Sequence, residues 1–352
     1  MKKLLDRIFI DGLNGMAQGL FATLIIGTII QQIGTFIGGG TGNLIFLCGK
    51  LAASLTGAGI GVGVARKLEA GTLVTVSAAS AGMIGAFASN ILAGEILSGS
   101  TIVLAGAGEP LGAFVAAYIA VEVGILISGK TKLDILLTPL VTIGVGGAVG
   151  LAVGPSISKF MAWIGSLINW GTEQQPLLMG IVVSVLMGMA LTLPISSVAI
   201  SVSLNLSGLA AGAATVGCCC NMVGFAVASF RENGFGGLLS QGIGTSMLQM
   251  SNIVRYPRIW FPEIISSAIL GPVATVLLHM TNNATGAGMG TAGLVGPLMT
   301  WQVMTQTEEA AIVFVKILMI QIILPALLTL GISEFMRKRK WIRNGEMKLA
   351  NM

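Results

Sequence analysis

The sequence predicts an all-α membrane protein: a polytopic transmembrane helical bundle of about ten spans, with re-entrant hairpins, arranged as an inverted repeat of two five-span halves. Three observations lead there. Of 352 residues 54% are hydrophobic and only 9% charged, with a mean hydropathy of +0.90. Soluble globular chains carry roughly 25% charged residues, so this one could not cover its surface with solvated groups. Fifty glycines lie within apolar runs and show no G-X-Y period, which excludes collagen and suits close helix packing in lipid, where small residues let backbones approach. Finally, the chain divides into apolar stretches near the roughly 20 residues that a spanning helix needs.

Taken in order, those stretches are 16–37, 41–64, 71–93, 111–128, 135–153, 177–193, 199–216, 217–230, 264–280 and 310–333. The seventh and eighth have a rival reading, in which 196–230 holds a re-entrant hairpin. Gly57, Gly61 and Ala65 repeat at four-residue spacing in the second span, as a close-packing face would. Residues 156–170 differ in character. Ile157, Phe160, Met161, Ile164, Leu167 and Ile168 recur at helical spacing, while Lys159, Ser166 and Asn169 take other faces. With Trp163 and Trp170 at headgroup level, this segment reads as an amphipathic interfacial helix. The domains expected are therefore a first half at 1–155, a linker at 156–176, a second half at 177–336 and a basic cytoplasmic tail at 337–352.

Charge sets the orientation. In the ten-span arrangement Lys2, Lys3 and Arg7, Arg66/Lys67, Lys130/Lys132, Arg231, Arg255/Arg258 and the tail all fall on one side. By the positive-inside rule that side is cytoplasmic, with both termini. The net charge of +5 is concentrated in the tail, in Arg337, Lys338, Arg339, Lys340, Arg343 and Lys348. A basic tail directly after an apolar span fits this rule better than a nucleic-acid surface. No cleavable signal peptide is apparent, because the first apolar run is too long for one.

Internal similarity supports a repeat. ILLTPLVTIG at 135–144 resembles IILPALLTLG at 322–331, and Gly108-Glu109-Pro110 before the fourth span parallels Pro262-Glu263 before the ninth. Five spans per half would invert the halves, as in many secondary transporters.

Ionisable groups in apolar spans are costly and so are functional candidates. Lys50, Glu122 and Lys316 qualify; Lys316 suits a structural ion pair, while Lys50 and Glu122 fit a structural pair or a role in ion- or proton-coupled transport. The breaks carry more chemistry. Residues 94–110, ending at Glu109-Pro110, are too short for a span and too apolar for an open loop. Residues 281–297 hold Asn282, Asn283, Thr285 and five glycines, directly after His279, the only histidine. Irregular backbone at membrane depth survives only where protein or a watery cavity satisfies it, so both read as re-entrant hairpins facing a shared hydrated pocket. Ser196, Ser197, Ser201, Ser203 and Asn205 follow Pro194 as a third polar cluster. Together these groups offer the carboxylate, amide, hydroxyl and imidazole contacts that bind a sugar.

The sequence contains no metal-ligand spacing, cofactor motif, P-loop or Ser-His-Asp arrangement, which argues against catalysis by this chain. Cys48 and the run Cys218-Cys219-Cys220 suit neither a disulfide framework nor a zinc site and read as small buried residues.

The opening MKKLLDRIFIDGLNGMAQGLFATLIIGTI at 1–29 and SLTGAGIGVGVA at 54–65 resemble enzyme IIC-like membrane proteins of the bacterial sugar phosphotransferase system, and among them the perfringolysin-regulator-like group. The resemblance implies a sugar-permease-like fold in the bacterial inner membrane, a homodimer, and a sugar or other small polar solute as ligand. Glu109-Pro110 is similar to the Glu-Pro of the glucose-type substrate hairpin, which implies a substrate role for Glu109. Working permeases of this kind also need IIA and IIB domains, which the tail is too short to encode. Separate IIA and IIB proteins then supply the phosphate, or the chain no longer phosphorylates sugar. A regulator or scaffold that no longer transports is the alternative.

Overall fold

The computed structural model describes residues 6–99, 101–104 and 106–349, with the backbone alone at position 203. Lys2, Lys3 and the last three tail residues lie outside these, as does the side chain of Ser203. The chain divides into two compact units, Met1–Phe160 and Met161–Met352.

The first unit opens with α1, Arg7–Ile37. Gly38 and Gly39 at φ +64° and +62° reverse the chain into α2, Gly39–Ser54, and α3, Thr56–Lys67, follows across a 51° bend. The predicted second span is thus a bent pair. Glycines set its packing: Gly15 and Gly19 of α1 lie against the backbone of Gly63 and Gly59, where any side chain would hold the helices apart. The Gly57–Gly61–Ala65 face lies against α4, Thr72–Ala86, at the Gly82 and Ala78 carbonyls. A short α5, Ala88–Ala93, ends at Gly94 in the left-handed conformation. The segment 94–110, expected as a re-entrant hairpin, contains a small antiparallel β-hairpin: β1, Leu97–Ser98, pairs with β2, Thr101–Ile102. All four of its residues are exposed. Positive φ at Gly94, Gly99, Gly106 and Gly108 turns the chain too often for a helix to persist. Then come α6, Pro110–Ile127, and α7, Asp134–Thr172, whose residues from Met161 on belong to the second unit. The 39 residues of α7 exceed the roughly 20 that a spanning helix needs. The predicted amphipathic segment is the later part of this continuous helix, not a separate one, with Trp163 and Trp170 exposed.

The second unit has α8, Pro176–Thr192, a short α9, Ser197–Ser203, and α10, Gly208–Ala228. Every residue of α10 from Ala211 to Ala226 is buried. The expected seventh and eighth spans therefore merge: nothing between Val216 and Gly217 breaks the helix, whereas Asn205 and Gly208, both at positive φ, do. Next are α11, Phe230–Leu239, turned at Gly234; α12, Met250–Arg255; α13, Pro257–Leu277; α14, Ala284–Ala287; α15, Val295–Met304; and α16, Ala310–Lys338. Helices α8, α13 and α16 pack on α10 through glycine contacts, such as Gly217 against the Ser184 carbonyl and Gly224 against Thr329.

Among the described residues six helices are long and apolar enough to cross a membrane, seven if α2 and α3 form one span. The shorter apolar α4 and α8 add to these.

Past α16 the basic tail folds back. Ile342, Met347 and Leu349 are buried. The Met347 carbonyl accepts from Asn233 Nδ2 and Gln249 Nε2, each at 2.9 Å. Arg337 pairs with Glu232 at 2.9 Å, both side chains less than a tenth exposed.

Candidate functional site

Two broken segments meet on α10. Between α8 and α9 the chain runs extended at Leu193, and Ser196 caps α9 by accepting from Ala199 N at 3.2 Å. Beyond α9, Asn205 at φ +49° and Gly208 at φ +57° redirect the chain into α10. The other break follows α13. His279 adopts φ +47°, and Asn282 forms an antiparallel bridge with Gly208. Asn283 then caps α14 by accepting from Gly286 N at 3.0 Å.

From there the chain travels along α10. Met280 touches Gly212, and Gly290 touches Cys218 and Cys219. Those contacts are seven residues apart on the helix, about 10 Å. The chain then returns through α15, where Thr300 accepts from Asn282 Nδ2 at 2.9 Å. Ser197 Oγ ties the breaks together by donating to the Gly288 carbonyl at 2.7 Å. The glycines are required here, because a Cβ at Gly290 or Gly212 would overlap α10 or the Met280 carbonyl.

The expected ligands occupy different situations. Asn282 is 1% exposed. Its Nδ2 donates to Thr215 Oγ1 at 2.8 Å, the Gly296 carbonyl at 3.1 Å and Thr300 Oγ1, and its Oδ1 accepts from Asn283 N at 2.8 Å. It clamps the fold. Asn283 is half-buried, with Nδ2 3.5 Å from Met299 Sδ; Asn205, His279 and Thr285 are exposed. Ser201 is buried and bonded within its own helix.

Glu109, Glu122 and Lys50 belong to the first unit. Glu109 is half-buried and caps α6, while its N–H donates to the Ala86 carbonyl at 2.8 Å. Glu122 accepts from Arg7 Nε at 2.6 Å, the structural ion-pair reading. Lys50 is exposed on α2. In the second unit, Lys316 pairs with Glu308 at 2.7 Å and donates to the Leu278 carbonyl at 2.8 Å. Cys218, Cys219 and Cys220 are fully buried; Cys48 is exposed, contrary to expectation.

Sequence reasoning missed a polar network at the middle of α10. Asn221 Oδ1 accepts from Trp260 Nε1 at 2.9 Å and from Thr192 Oγ1 at 3.0 Å, and Thr192 meets Ser246 at 2.8 Å. Asn221 Nδ2 donates to the Gly217 carbonyl at 3.2 Å, and Ser184 Oγ to the Ser267 carbonyl at 2.7 Å. Networks satisfied in this way rigidify a core. The available signal was an amide following three cysteines in an apolar span. Glu263, also missed as a site residue, is fully buried in the first turns of α13.

The surface near the Gly208–Asn282 bridge thus combines a rigid backbone with exposed amide and hydroxyl groups, suited to hydrogen-bonding a polar solute. Comparison with curated proteins returned no match. The family model described as "Phosphotransferase system, EIIC" matches residues 10–349. With nearly its whole length covered, the chain belongs to the EIIC family of the phosphotransferase system, multi-pass membrane components of sugar transport that are themselves normally not catalytic.

Proposed function

We propose that this protein is a permease-like IIC component that binds a small polar, sugar-like solute in its second unit, beside the Gly208–Asn282 bridge. The observation carrying this reading is the His279–Leu294 stretch: irregular backbone laid along the most buried helix, with Asn205, Asn283 and Thr285 at its edge. Irregular backbone at membrane depth is tolerated only against protein or a hydrated cavity, and transporters place substrate sites at such breaks. Family membership supports a sugar as the ligand class and IIA and IIB components as partners.

The finer proposals are an inverted repeat of two halves, a homodimer of the perfringolysin-regulator-like kind, and both termini in the cytoplasm. Supporting the last, the tail folds against α11 and α12, and Arg231 pairs with Glu334 at 3.1 Å. One end of the second unit is therefore rich in basic groups, as a cytoplasmic face is.

The test is thermal shift and proteoliposome uptake of the full chain against a sugar and polyol panel. A member of the panel should raise Tm and be taken up, and Thr285→Ala with Asn283→Ala should weaken it several-fold. A panel with no ligand, or a ligand indifferent to both substitutions, sinks the reading.

The regulator alternative rests on exposed Lys338, Arg339, Lys340 and Arg343 as a surface for an acidic cytoplasmic partner. The buried Arg337, Met347 and Leu349 mean that such a partner would meet a folded surface and not a free tail.

A further inference from the structure

Every salt-bridged glutamate of the described residues has a named cation: Glu122 with Arg7, Glu232 with Arg337, Glu308 with Lys316 and Glu334 with Arg231. Glu263 has none. It is 0% exposed, and neither carboxylate oxygen has a hydrogen-bond partner. A bare carboxylate in an apolar interior is costly enough that it takes up a positive charge or is neutralised.

Its surroundings supply oxygen ligands. Helix α13 runs antiparallel to α16: Ile259 clusters with Met336 at one end and Leu270 with Ile317 and Ile320 at the other, while Thr329 meets Ser266 at 2.8 Å between them. Ser333, one turn beyond Thr329, therefore falls at the level of Glu263. It too is fully buried with an unpartnered hydroxyl. From α10, Gly224 leaves the room; a Cβ there would come 3.1 Å from Glu263 Cγ and 3.0 Å from Thr329 Oγ1. The other ionisable groups on the helices packed around Glu263 are Cys218, Cys219 and Cys220 on α10, Arg258 on α13, and Lys316, Glu334, Arg337 and Lys338 on α16, while α8 has none. Lys316, Glu334 and Arg337 are already paired, and Lys338 and Arg258 are exposed.

We infer that Glu263 binds one exchangeable monovalent cation, a proton or a sodium ion, inside the second unit between α10, α13 and α16, with Ser333 as a supporting oxygen. Hard oxygen ligands around a single carboxylate suit such a cation, and intramembrane carboxylates of this kind serve proton and ion relays. The inference is independent of the solute reading, since the cation site uses none of the proposed sugar ligands.

The experiment uses the full chain in lipid nanodiscs without solute. Binding of ²²Na⁺ and Tm are followed at constant ionic strength, with choline as the replacement, from pH 8 to pH 5. A sodium site predicts saturable binding near one ion per chain, weakened at least tenfold by acidification and lost in Glu263→Gln. A proton site predicts no sodium binding, but a Tm that falls as pH rises, because the buried carboxylate must then ionise; Glu263→Gln flattens that dependence. Ser333→Ala weakens sodium binding several-fold, or shifts the pH midpoint, and serves as the readout if Glu263→Gln fails to fold. Absence of both effects, or their persistence unchanged in both variants, overturns the inference. Sugar-panel binding in Glu263→Gln, measured alongside, tells failure here from failure of the solute site.

Discussion

Asn282 and Thr285 are three residues apart and of similar chemistry, yet the fold treats them in opposite ways. All the polar side-chain atoms of Asn282 are engaged, so Asn282→Ala removes a donor from Thr215, Gly296 and Thr300, which keep their other partners, and takes the acceptor from Asn283 N. Losing hydrogen bonds of this kind costs about 0.5–1.5 kcal/mol each, and thermal unfolding in nanodiscs should show the lower Tm. Thr285 is exposed, so Thr285→Ala should leave Tm unchanged and reduce only solute binding. A second residue-scale expectation concerns thiols. A membrane-permeable maleimide should label at most one cysteine per folded chain, Cys48, and all four after unfolding, because Cys218, Cys219 and Cys220 are buried. That Asn282, Asn283 and Thr285 mattered was legible from their place in a glycine-rich break. Which of them turns inward was not, because that depends on Gly208 and α15 arriving from distant parts of the chain.

At the scale of elements, glycine placement decides which helices touch. Gly217→Ala would drive its Cβ into the Ser184 carbonyl, and overpacking of this kind costs typically about 1–3 kcal/mol. Gly331→Ala on α16 meets nothing within 4 Å and should be neutral or stabilising by about 0.5–1 kcal/mol. Comparing the two Tm values checks that contact, not glycine content, is responsible. The Gly57–Gly61–Ala65 face was readable from spacing, whereas its partner, α4, was not. Apolar content likewise placed α6 and α8 within a residue or two of their ends. It misplaced the boundary near residue 205, because hydropathy does not register that Asn205 and Gly208 take positive φ while Val216 and Gly217 continue a helix. The hairpin at 97–102 escaped for a related reason: strand pairing is a contact between two short segments and leaves no periodicity in either.

For the whole molecule, the C-terminal segment closes the second unit. Arg337 and Glu232 form a nearly buried pair, and removing one partner leaves an uncompensated charge, which costs about 3–5 kcal/mol. Arg337→Ala should therefore lower Tm sharply, and Glu232→Gln combined with Arg337→Met should lower it less than either change alone. Losses that simply add in the double variant would mean that the two side chains act independently and that the pair does not hold the segment. Family, membrane residence and approximate span positions followed from the sequence alone, since lipid burial demands long apolar helices whatever their neighbours. Tertiary structure decided which polar side chains are clamps, that the basic tail is folded, and that Glu263 stands without a partner. Those properties depend on what packs opposite each residue, and in lipid an apolar helix surface carries little information about its partner.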